Sequence, residues 1–111
     1  MRVCLIYPPT GHMIRTNVPA VVDDVSGCYP PLGLLYVAAA AERTGRHEVE
    51  VIDCVAEKLT VEDIPERVSA ACPDVVGIEV LTFSLIDAWL TARAVKQAVP
   101  GTPVVLGGPH V

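Results

Sequence analysis

Four short apolar runs with the character of strands, separated by longer segments with the character of helices, constrain this chain more than any other feature. Arg2 to Tyr7 (RVCLIY) is almost continuously apolar and is closed by Pro8 and Pro9. Glu48 to Cys54 (EVEVIDC) alternates, with Val49, Val51 and Asp53 on one face. Asp74 to Leu81 (DVVGIEVL) and Pro103 to Leu106 follow, the last closed by Gly107 and Gly108. Near-continuous Val, Ile and Leu runs are what parallel strands covered on both faces look like.

The segments between them have helical spacing. Leu34 to Thr44 is rich in Ala and Leu, apolar nearly all round, and stops at Gly45. Thr60, with Asp63 three residues on, opens a helix expected to bury Val61, Ile64, Val68 and Ala71 and to halt before Pro73. Ser84, with Asp87 three residues on, is expected to cap a third helix whose buried stripe is Leu85, Ala88, Trp89, Ala92, Val95 and Val99. Trp89 reads as a core residue.

Strand and helix thus alternate after a first, long connection from Pro8 to Pro31. Such alternation predicts a three-layer, doubly wound parallel α/β sheet with right-handed crossovers. The Rossmann-like arrangement most often built this way is flavodoxin-like, and four of its strands are present, in the expected order 2-1-3-4. A fifth strand is missing. Strand four would be left as a bare apolar edge, which soluble proteins avoid. Residues 1–111 therefore read as one incomplete domain, an excerpt of a longer chain, or a unit whose edge an oligomer or another partner covers.

Composition removes several functions. With 51% hydrophobic residues and a net charge of −5, the chain is no disordered segment. A bilayer span needs about 20 apolar residues, and the best uncharged run, Leu32 to Ala41, is far shorter. Eight scattered Lys and Arg against thirteen Asp and Glu argue against binding nucleic acid through its phosphates. Cys4, Cys28, Cys54 and Cys72 match no zinc, redox or iron–sulfur spacing, so no metal site is read from them. Cys4, Cys54 and Cys72 are expected to behave as small core residues and Cys28 to lie in a loop, which fits a reducing cytoplasm.

In an open α/β sheet the ligand sits beyond the carboxyl ends of the strands, where the strand order reverses. Here that point lies between strands one and three, flanked by Pro8 to His12, Leu81 to Ser84, and Gly107 to His110. A dinucleotide needs G-x-G-x-x-G after strand one, and Pro8, Pro9 and a long loop stand there instead. The paired acids of a phosphoacceptor receiver are absent, and Thr10-Gly11 is too thin for a flavin phosphate loop. A large, mostly apolar occupant gripped by backbone and small side chains remains, a description that suits a corrin.

The string Pro30-Pro-Leu-Gly-Leu-Leu-Tyr-Val-Ala-Ala, followed by Gly45-Arg-His-Glu-Val-Glu-Val-Ile-Asp53, resembles the N-terminal cobalamin-binding domain of B12-dependent radical SAM enzymes. Asp74-Val-Val-Gly-Ile, Leu81-Thr82 and Gly107-Gly-Pro-His110 extend the resemblance over essentially the whole chain. The group includes anaerobic magnesium-protoporphyrin monomethyl ester cyclases and many methyltransferases. The resemblance implies a cobalamin module preceding a radical SAM barrel in the same chain. S-adenosylmethionine and a [4Fe–4S] cluster would belong to that barrel, since no CxxxCxxC occurs here. It also implies that Pro8, Pro9, Thr10 and Gly11 lie under or beside the corrin. Leu81, Thr82 and Ser84 would line the strand-three side, Gly107 and Gly108 would let the nucleotide tail pass, and Pro109 and His110 would shape the rim.

Two departures from the family stand out. The Asp-x-His-x-x-Gly motif whose histidine ligates cobalt is replaced by Tyr7-Pro-Pro-Thr-Gly-His12, which implies cobalamin held without a histidine ligand. Glu79 stands where the family often has Ser, and a carboxylate there needs a partner or a raised pKa. His12 itself reads as a solvated loop histidine, and Asp53 as a loop cap. The Val18-Pro-Ala-Val-Val22 patch is expected to fold over the cleft or to meet another domain. The competing reading is a cofactor-free flavodoxin-like docking or regulatory domain.

Overall fold

A computed structural model describes residues 1–15, 17, 19, 21–22 and 27–111; Val18 and Ala20 of the apolar patch lie outside the described residues. The chain runs β1 (Arg2–Tyr7), α1 (Leu32–Glu42), β2 (Glu48–Asp53), α2 (Ile64–Ala71), β3 (Val75–Glu79), α3 (Leu85–Ala98) and β4 (Val104–Gly107). Single 3₁₀ turns, Val61–Asp63 and Thr82–Ser84, lead into α2 and α3. The four strands form one sheet in the order β2-β1-β3-β4, every pair parallel. This is the flavodoxin-like α/β arrangement expected from the alternating runs.

Register then decides which side chains share a face. Val51, Leu5, Gly77 and Val105 form one row across the sheet. Because strand side chains alternate, their neighbours Cys4, Ile52, Val76 and Val104 point the other way. On that second face α2 and α3 close a core around Ile6, Ile52, Ile64, Val68, Ile78 and Val95. On the first face α1 alone packs among the described residues, and Leu34 and Ala38 cover Leu5 with Val49 and Val51 beside it. The β4 end of that face stays open, with Val105 56% exposed.

α3 corrects the expected stripe. Its buried face is Asp87, Ala88, Thr91, Ala94 and Val95, whereas Leu85 and Trp89 point outward, Trp89 at 56% exposure. Small residues let the helix lie close to the sheet, and the indole stays outside with the Arg93 guanidinium 4.8 Å from its ring centre. Ser84 is buried but does not cap α3. Lying in the preceding 3₁₀ turn, its hydroxyl donates back to the Leu81 carbonyl at 3.4 Å. Thr60 and Asp63 do meet, the Asp63 carboxylate accepting from the Thr60 N–H at 2.8 Å and from its hydroxyl at 3.0 Å.

Cys4 and Cys54 are buried, as expected of small core residues, and burial pushes both thiols up to about 12. Cys72 is not a core residue: it turns the chain after α2 in a left-handed conformation (φ 46°) and is exposed, as is Cys28. Only a thiolate attacks a disulfide reagent. With Ellman's reagent at pH 8 the native protein should therefore release two equivalents promptly and the other two only in denaturant. Four prompt equivalents would contradict this packing.

Candidate functional site

The segments leaving β1, β3 and β4 are bonded to one another at the carboxyl end of the sheet. Asp87, fully buried in the first turn of α3, accepts the His12 backbone N–H at 2.9 Å, and its other oxygen lies 2.9 Å from His12 Nδ1. The Ile14 N–H donates to the Phe83 carbonyl at 3.0 Å. From the other side, the Val80 N–H donates to the Gly107 carbonyl at 2.6 Å and the His110 N–H to the Val80 carbonyl at 3.3 Å. His110 Nδ1 lies 3.1 Å from the Thr82 hydroxyl. Each exit is thereby fixed relative to the next.

Two cavities flank this end of the sheet. The first, about 410 Å³, lies on the α1 face and runs along the strands from Val3 and Val75 past Leu5, Leu34 and Gly77 to Gly107. Among the described residues Glu79 is its only ionisable lining residue. Its glycines supply the space: a Cβ on Gly107 would have nothing within 4 Å, so any side chain there would occupy the void. Gly108 differs, with φ 121° and a Cβ position 2.6 Å from the Val80 carbonyl oxygen. The second cavity, about 460 Å³, opens on the α2–α3 face among Thr10, His12, Lys58, Thr60, Glu62 and Asp87 and is more polar.

The expected site residues divide between these places. Glu79, Gly107, Gly108 and Pro109 line the α1-side cavity. Pro9, Thr10 and Gly11 line the other, with Pro8 buried beside them. Leu81, Thr82, Ser84 and His110 line neither; Ser84 is buried, and Thr82 and His110 are bonded to each other. Asp53 caps its loop as expected, its carboxylate accepting the Val55 and Ala56 N–H groups at 3.1 and 3.0 Å. Sequence reasoning missed Leu5, Gly33, Leu34 and Gly77 as cavity wall. Strand alternation puts Leu5 and Gly77 on one face and Gly33 lies in a quoted motif, so the signal existed. It also missed Asp87, whose carboxylate serves the β1 exit and not the Ser84 cap. His12 is solvent-facing as expected, yet anchored.

Glu79 lines the apolar cavity from the end of β3, its Oε1 3.4 Å from where a Gly33 Cβ would stand. Desolvation raises its pKa, and the nearby carboxylate adds to the burial that raises the Tyr7 phenol. A folded-state carboxyl pKa above its unfolded value means that the native state holds the proton more tightly. Stability is therefore lost as pH rises from 4.5 through the raised value. Glu79→Gln should gain stability over the parent as pH goes from 4 to 7 in urea titrations. A difference that stays constant with pH would contradict the assignment.

The geometry fits a ligand with a slender apolar end. The cavity is apolar, of ligand-binding size, runs along the sheet from Val3 and Val75, and reaches the carboxyl ends of β3 and β4 at Glu79 and Gly107, beside the reversal of strand order where open α/β sheets bind cofactors. These features define a cofactor-binding flavodoxin-like domain. The B12 binding domain family model matches residues 18–111, and the chain belongs to that family. It is 38% identical over its full length to an uncharacterised methyltransferase of Pyrococcus horikoshii, covering 22% of that protein. It is 27% and 26% identical over 99% of its length to anaerobic magnesium-protoporphyrin IX monomethyl ester cyclases of Rubrivivax gelatinosus and Cereibacter sphaeroides, covering 18% and 17% of them. The chain thus spans about a fifth of these relatives. No solved structure matches it significantly.

Proposed function

We propose that this domain is the cobalamin-holding module of a radical SAM enzyme of methyltransferase or cyclase type. The observation that carries the reading is the glycine-walled apolar cavity at the switch point. In it, Leu5, Leu34, Gly77, Gly107 and Gly108 would hold the nucleotide tail of cobalamin. Thr82, Pro109 and His110 would form the rim under the corrin, and the β1 exit, Pro8 to Gly11, would bear on the ring from the other side. Bound cobalamin supplies a methyl carrier or a redox-active cobalt. What the residues of this chain do is bind it, orient it and keep water from its tail.

The radical SAM barrel, with its S-adenosylmethionine and [4Fe–4S] cluster, is assigned to the remainder of a longer chain, for which the length of the relatives leaves room. That barrel would cover the apolar β4 flank. Among the described residues no helix is long and apolar enough to cross a membrane, and free thiols suit a reducing cytoplasm.

The test is to mix the protein with hydroxocobalamin, desalt it and record the visible spectrum. Retained corrin absorbance near one equivalent is expected. A folded protein emerging colourless would overturn the reading.

A further inference from the structure

We propose that Glu79 selects among corrinoids by the base that ends their nucleotide tail, favouring a purine carrying an exocyclic amine over dimethylbenzimidazole. The inference rests on the cobalamin reading of the α1-side cavity. Among the described residues that line this cavity all are apolar or glycine except Glu79, whose Oε1 lies 3.4 Å from where a Gly33 Cβ would stand. No other described side chain hydrogen-bonds or ion-pairs with this carboxyl. It is half-buried, and desolvation raises its pKa. A tail base entering the cavity would shut off more of its water.

An acceptor-only carboxylate losing water needs a donor, and leaving it without one costs far more than the bond itself is worth. The amine of an adenine-type base brings two N–H donors. Dimethylbenzimidazole, joined to its ribose through one ring nitrogen, brings only a second nitrogen with a lone pair. Acceptor would then face acceptor unless Glu79 takes up a proton, and that uptake near neutral pH weakens dimethylbenzimidazole binding all the same. A site whose one polar group loses its water on binding discriminates against a ligand that leaves that group unpaired. An apolar substitution at the same position removes the penalty for dimethylbenzimidazole and strands the amine instead.

The experiment measures Kd for cobalamin, for adeninylcobamide and for cobinamide, which lacks the nucleotide, by absorbance titration of the parent protein and of Glu79→Leu. In the parent, adeninylcobamide should bind about tenfold or more tighter than cobalamin, a gap of ~1.4 kcal/mol. In Glu79→Leu the ratio should fall at least fivefold while cobinamide affinity stays unchanged. The two corrinoids also differ in how readily the base leaves cobalt, and comparing the ratio between proteins cancels that difference. Should Glu79→Leu fail to fold, the isosteric Glu79→Gln serves, because its amide can donate to the ring nitrogen and should also collapse the ratio. A ratio that neither substitution moves would overturn the proposal with cobalamin binding intact. If no corrinoid binds the parent, the cobalamin reading fails and this inference fails with it.

Discussion

Gly107→Leu should weaken cobalamin binding about a hundredfold or more, ~2.8 kcal/mol, while leaving the fold in place. The position ends β4 on the same face as Val105, and beyond its missing Cβ there is only the cavity. A leucine side chain there would fill the space assigned to the nucleotide tail. Its Cβ would have no protein atom within 4 Å, and the side chain would add apolar surface to an exposed strand. Stability should therefore be unchanged or slightly raised, while binding is lost. Absorbance titration with hydroxocobalamin, paired with thermal unfolding of the apo protein, separates the two. Undiminished affinity would show that the tail lies elsewhere.

Gly108→Ala should do the reverse, damaging the structure first. Its φ of 121° lies in a region that only glycine occupies without strain, and an alanine Cβ would stand 2.6 Å from the Val80 carbonyl oxygen and 3.1 Å from the Val80 nitrogen. Those atoms are backbone and belong to the chain leaving β3, so relief requires the β4 exit to swing away. The Val80–Gly107 and His110–Val80 hydrogen bonds and the Thr82–His110 contact would go with it. A loss of about 2–3 kcal/mol in urea unfolding is expected, together with loss of cobalamin retention. A variant as stable as the parent would contradict the rim geometry.

The contrast between these neighbouring glycines shows where the sequence was informative. Gly107-Gly108 reads as one turn signal in sequence, yet one residue faces a void and the other is wedged against Val80. Only the position of β3 beside β4 separates them. The four strands and their order were legible because Val, Ile and Leu runs, bounded by Pro and Gly, carry their own punctuation. α3 was misjudged because apolar periodicity ranks Trp89 and Leu85 above Thr91 and Ala94, whereas close packing on the sheet rewards small residues. The His12–Asp87 link joins positions 75 residues apart, and no local spacing encodes it. The cavity was half-legible: alternation fixes which side chains share its face, but its depth depends on where α1 stops covering the sheet.

The most direct measurement is a crystal structure of the protein with cobalamin bound. The account predicts the tail base on the α1 face, enclosed by Leu5, Leu34, Gly77 and Gly107, with the corrin lying over the Thr82–His110 rim. A tail on the His12 side of the sheet, or a base still coordinated to cobalt outside the protein, would contradict it.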